Sequence, residues 1–150
     1  MIYYSVLLCG KFKDGNAERV FDRITLEKDS DTSFDITTLI STEDESKIKD
    51  IIYYFIFKNE IGVDGKRSGK CVGAKLIEES TENKRSINRV SGFPVSDISF
   101  DSSGEYVVEV YRYNEIPFEK DNTMEDYHMI LKEGEKVAKF NFNVEIIVKK

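Results

Sequence analysis

At 150 residues the chain fits one domain, and with 40% hydrophobic and 33% charged residues it is too polar for a membrane protein and too apolar for a disordered one. A net charge of -6, from 28 acidic against 22 basic residues, opposes a phosphate backbone, so nucleic acid is not an expected partner; the charge serves solubility. No apolar run approaches the ~20 residues of a membrane helix, and two cysteines with no Asn-x-Ser/Thr sequon give no sign of secretion, so no membrane association and a cytoplasmic location are expected.

The chain opens on a β-branched and aromatic run from Ile2 to Phe12, which lacks the basic leader of a signal peptide and reads as a strand. Further strands are expected over Val20 to Glu27, Phe34 to Ile40, Ile48 to Phe57 and Cys71 to Glu78. Turn-formers punctuate them at Asp14-Gly15-Asn16, Asp29-Ser30-Asp31 and Asp64-Gly65. The Asp29-Ser30-Asp31 turn begins like a calcium loop, but Phe34 stands at the glycine position and Ile40 at the bidentate glutamate position, so no metal site is expected. A short helix has a weak claim over Ser41 to Ile52, where Ser41-Thr42-Glu43-Asp44 resembles a capping start.

The run around Tyr53 is apolar on both sides: Ile51, Tyr53, Phe55 and Phe57 share one face, and Ile52, Tyr54 and Ile56 share the other. Such a strand is either covered twice or presents one face to a partner. Gly65-Lys66-Arg67-Ser68-Gly69-Lys70 invites a phosphate-loop reading that fails, because Asp64 replaces the first glycine and Cys71 the final Ser or Thr. A basic hairpin loop remains, whose Lys66, Arg67 and Lys70 suit an acidic surface. The charged stretch from Glu78 to Arg89 reads as a mobile loop.

From Phe93 to Tyr113 two alternating segments flank Ser102-Ser103-Gly104. In the second, Tyr106, Val108 and Val110 face one way and Tyr111 and Tyr113 another, which makes the latter pair candidates for an exposed contact surface. Asn114 to Gly134 is loop-like, with a short helix over Thr123 to Leu131 that carries Met124, Tyr127, His128 and Leu131. The last segment has the cleanest period of two: Ala138, Phe140, Phe142, Val144, Ile146 and Val148 on one face, Lys139, Asn141, Asn143 and Glu145 on the other.

Phe93-x-Val95-x-x-Ile98 followed by Gly104-Glu105-Tyr106-x-Val108 resembles the E and F strands of immunoglobulin-like domains. The resemblance implies an antiparallel β-sandwich in which Tyr106 forms a tyrosine corner, its hydroxyl bonding a nearby backbone group. Val108 stands where antibody-type domains carry a cysteine, and the chain has no Trp, so the disulfide core of those domains is absent. The expected architecture is one all-β domain over residues 1–150, mainly strand with one or two short helical segments.

Catalytic motifs are lacking. His128 is the single histidine, no Gly-x-Ser-x-Gly elbow occurs, and the paired carboxylates lie in hydrophilic runs. Neither catalysis nor a cofactor is expected. The expected function is a non-enzymatic module binding another protein or itself, with Tyr53, Tyr54, Tyr111 and Tyr113 as interface candidates. The basic loop residues Lys66, Arg67 and Lys70 form a second candidate group. The alternative is a small-ligand carrier or sensor with an apolar pocket between its sheets. The Lys-, Ile- and Asn-rich composition points to an AT-rich bacterial or phage source, and an inhibitor of a host protein is the specific form of the binding reading.

Overall fold

The computed structural model describes residues 2–14, 16–42, 47–80, 87–114 and 124–148. Among these the chain forms β1 (Ile2–Lys13), β2 (Asn16–Phe21), β3 (Arg23–Glu27), β4 (Asp31–Thr42), β5 (Lys47–Ile61), β6 (Arg67–Ser80), β7 (Ile87–Ser99), β8 (Gly104–Arg112), α1 (Met124–Glu133) and β9 (Glu135–Ile147). The strands make an all-β sandwich: a four-stranded sheet in the order β2-β1-β4-β7 faces a five-stranded sheet in the order β3-β9-β8-β5-β6. Every pairing is antiparallel except β3 with β9, which is parallel. None of the described helices is long and apolar enough to cross a membrane.

Three expectations are corrected. The single strand over Val20 to Glu27 is two, because the chain leaves the four-stranded sheet after Phe21 and joins the other sheet at Arg23 beside Asn143. The Asp22 carbonyl, at the crossing, accepts the Asn143 N–H at 2.8 Å. The helix proposed for Ser41 to Ile52 does not form. Ser41 and Thr42 finish β4 between β1 and β7, Lys47 to Ile52 begin β5 along β6 with β8 joining at Ile52, and positions 43–46 lie outside the described residues. Cross-strand pairing outweighs a local capping pattern. The loop assigned to Glu78 to Arg89 is shorter than expected, since β6 runs to Ser80 and β7 starts at Ile87; positions 81–86 are outside the described residues.

The principal core lies between the sheets. Ile52, Tyr54 and Ile56 of β5 and Tyr106, Val108 and Val110 of β8 meet Val6, Leu8, Ile36 and Ile40 of the facing sheet. Phe142 and Val144 of β9 join them, the face that the period of two assigned inward. At the turn from β7 to β8 the chain changes sheets, and the Tyr106 hydroxyl donates to the Ser102 carbonyl at 2.7 Å. This is the tyrosine corner that the immunoglobulin-like resemblance implies. It fixes the entry into β8 and hence the register of the strand that carries Glu109 and Tyr111.

A second core covers the opposite face of the five-stranded sheet. Tyr53, Phe55 and Phe57 of β5 pack with Val107, Tyr111 and Tyr113, and Ile130 of α1 is fully buried among them. Tyr127, Ile130 and Leu131 recur at i, i+3 and i+4, so one helix face meets the sheet. α1 ends where the Gly134 N–H returns to the Ile130 carbonyl at 2.8 Å, and a side-chain carbon at Gly134 would lie 2.4 Å from that oxygen. Glycine is therefore required for the helix to turn directly into β9.

Candidate functional site

The tyrosines expected to form a contact face are all buried. Tyr53 is 1% exposed, Tyr54 0%, Tyr111 6% and Tyr113 6%. Tyr111 and Tyr113 do point away from the main core, as the alternation requires, but α1 covers that face. The Tyr113 hydroxyl donates to Glu133 of the helix at 3.1 Å. Tyr54 points the other way, stacked on Phe93 with ring centroids 4.7 Å apart. The expectation of an open tyrosine face is corrected: the strand around Tyr53 is covered on both sides.

The basic loop is different. Gly62 to Lys66 form the turn of the β5–β6 hairpin, in which the Gly62 N–H donates to the Lys66 carbonyl at 2.9 Å and the Asp64 carboxylate accepts the Lys66 N–H at 3.0 Å. The turn leads into a strand, so no helix N-terminus is there to receive a phosphate. Lys66 and Arg67 instead line one side of a cleft of about 380 Å³, which Lys70 borders from the far face of β6 opposite Ile56, and Tyr127, His128 and Leu131 of α1 line the other side. Phe55 and Phe57 of β5 and Tyr111 of β8 form its floor. Lys66, Lys70 and His128 are exposed, and among the described residues no side-chain hydrogen bond or ion pair engages either lysine.

Arg67 is committed elsewhere. Its guanidinium donates twice to Glu109, at 2.9 and 3.0 Å, and lies 4.4 Å from the centre of the Phe57 ring. Glu109 is 3% exposed and also receives Lys136 at 3.1 Å and the Tyr111 hydroxyl at 3.0 Å. Burial pushes the Glu109 carboxyl upward, but the hydrogen bonds from Arg67, Lys136 and Tyr111 outweigh it and hold it below the usual carboxylate range. The same carboxylate acts on Tyr111, whose phenol burial and Glu109 together push up to about 12. Glu109 is what pattern reading missed. A carboxylate in the middle of an otherwise apolar strand was the available signal, but its charged partners come from β6 and β9.

Cys71 borders the cleft and is half-buried. Burial pushes its thiol up to about 11, so it is a neutral group here. Cys9 is buried on β1 beside Thr37, and both cysteines are free thiols. Among the described residues no group of three or more His, Cys, Asp or Glu is placed to hold a metal ion. A separate recess of about 500 Å³ opens at one end of the sandwich beside Ile56, Ile98, Phe100 and Tyr106. There Lys58 is already held by Ser102 at 2.7 Å and Glu60 at 2.9 Å.

No family model and no curated protein matches the sequence. Solved structures resemble it in fold. A crustacean hemolymph-type prophenoloxidase aligns with a TM-score of 0.55 at 7% identity, over 99% of this chain and 34% of its own. The alkylpurine DNA glycosylase AlkC of Pseudomonas fluorescens, bound to DNA containing an abasic site analogue, gives 0.52 at 11% identity, over 96% of this chain and 30% of its own. The CARDB domain of a Pyrococcus furiosus protein, in complex with di-metal ions, gives 0.50 at 9% identity, over 98% of this chain and 94% of its own. The chain thus spans about a third of the first two proteins and nearly all of the third. Identities this low show a shared sandwich fold and nothing about activity.

Proposed function

We propose that this chain is a non-enzymatic binding module that holds a partner protein at the cleft between α1 and the β5–β6 hairpin. One observation carries the reading: Lys66, whose side chain has no hydrogen-bond or ion-pair partner among the described residues, stands with the His128 imidazole at an aromatic floor in an open cleft, with Lys70 at the neighbouring strand edge, on a chain of net charge -6. Arg67 supports this rim from below, since its pairing with Glu109 anchors the start of β6. Apolar floors rimmed by polar groups are the usual form of a contact site whose centre supplies affinity and whose edge supplies specificity. The immunoglobulin-like resemblance fits a module of this kind, in which a rigid sandwich presents a site built at its margin.

The test is affinity capture from the native host with the wild-type chain and with a K66E/K70E variant, followed by cross-linking at the cleft. A partner retained by the wild-type chain and lost by the variant is expected. Recovery of the same proteins by both, with the variant folded, would refute the reading. The small-ligand alternative rests on the recess beside Phe100 and Tyr106 and predicts a bound small molecule there in a structure of the chain purified from its host.

A further inference from the structure

We infer that the occupant of the cleft is a segment of the partner in which a carboxylate stands next to an aromatic or large branched side chain. The inference rests on the preceding reading of the cleft and adds the chemistry of what it takes.

The floor sets the apolar half. Phe55 and Phe57 stack with centroids 5.8 Å apart, and Tyr111 and Tyr127 each meet Phe55 edge-on, at 5.5 and 6.3 Å. Ring faces and edges held this firmly favour an apolar or aromatic group laid on them over a polar one, which would lose its hydration without gaining a partner. A volume of about 380 Å³ lies at the small end for ligand sites and suits a large side chain with its neighbour.

The rim sets the charged half. Glu109 balances one of the two positive charges of Arg67 and Lys136 and leaves one to spare, and Lys66, whose side chain has no partner among the described residues, adds another at the rim; Lys70 stands opposite Ile56, on the far face of β6. The hairpin carboxylate Asp64 caps the Lys66 backbone and lines the neighbouring surface depression beside Glu60. The rim therefore attracts an anion. The neutral thiol of Cys71 adds no charge against it.

Access favours a polypeptide over a free metabolite. β6 pairs only with β5 among the described residues, so the cleft opens at a sheet edge rather than into an enclosed cavity. A chain passing along that edge can lower one side chain onto the floor while its neighbour reaches Lys66. Lys66 at the cleft and Lys70 on the other face of the same edge strand also disfavour a basic strand along that edge, which gives selectivity by repulsion as well as by attraction.

A displayed library of random 12-residue peptides, selected on the full chain, supplies the probe. Expected are binders that carry Asp or Glu beside Phe, Tyr, Trp or Leu and that shift amide resonances of Arg67 to Cys71 and Tyr127 to Leu131. They should weaken about tenfold in K66E/K70E and weaken again as salt rises from roughly 50 to 500 mM. Binders that need Lys66 and Lys70 yet are neutral or basic overturn the ligand chemistry and leave the cleft reading standing. Binders that ignore K66E/K70E and shift other residues overturn both. Failure to recover any peptide, or equally tight binding of indole-3-acetate as a free aromatic carboxylate, overturns the choice of a polypeptide segment.

Discussion

Replacing Arg67 by Met keeps the apolar stem over Phe57 and deletes two of the four polar contacts to a carboxylate that is 3% exposed. Lys136 and Tyr111 remain, so the buried charge is left half-partnered rather than bare. Removing one partner of a buried pair costs ~3–5 kcal/mol, and the retained lysine places R67M near the lower end, about 3 kcal/mol. For a domain of this size that is a fall in Tm of about 6–12 °C. Urea unfolding followed by far-ultraviolet circular dichroism measures it.

The pairing also has a pH signature. A carboxyl held below its ordinary range binds its proton less readily in the folded state, so its contribution is complete above the unfolded carboxyl range. It is lost as pH falls through the lower folded value. Stability of the wild-type chain should therefore drop more steeply under acid than that of E109Q, which has no such carboxyl to protonate. In the E109Q background R67M should cost less than in the wild type, by ~1–3 kcal/mol of coupling. A loss under about 0.5 kcal/mol for R67M, the range of an ordinary surface change, would refute the argument. So would identical acid profiles for wild type and E109Q.

Tyr106→Phe deletes the corner hydrogen bond to Ser102 and should cost about 1 kcal/mol in urea unfolding without altering the fold; an unchanged midpoint would remove the corner from the account. Gly73→Ala places a carbon 2.1 Å from the Phe93 ring, which is itself stacked on Tyr54, and should destabilise by ~1–3 kcal/mol. Phe93→Leu in the same chain should recover part of that loss, and no recovery would mean the conflict lies elsewhere. Ile130→Ala should cost ~2–5 kcal/mol and raise binding of a hydrophobic dye as α1 loosens from Phe55 and Tyr111; unchanged dye binding would show that the helix is not what covers that face. With its thiol pushed up to about 11, Cys71 should react with a disulfide reagent at roughly pH 8 far more slowly than a free cysteine, and a free-thiol rate would contradict that burial.

The fold was largely legible because strands announce themselves locally. The period of two in β9 assigned Phe142 and Val144 inward, and Gly104-Glu105-Tyr106 placed the corner whose hydroxyl bond then appears at Ser102. The candidate site was legible in one half only. Lys66, Arg67 and Lys70 stand out in sequence because they crowd a hairpin turn, but nothing local shows that Arg67 is tied to Glu109 while the side chains of Lys66 and Lys70 have no partner among the described residues.

Sequence alone determined that the chain is mainly strand, that β5 is apolar on both faces and that Tyr111 points away from Val110. Those properties depend on neighbours a few residues apart, through the alternation of side chains along a strand. Only the tertiary structure decided what lies on the outer face. α1 is distant in sequence from β5, and its docking turned the tyrosines from a surface into a core and left a cleft between the helix and the start of β6. An aromatic face looks the same in sequence whether a helix or a partner covers it, because burial is set by contacts between distant segments.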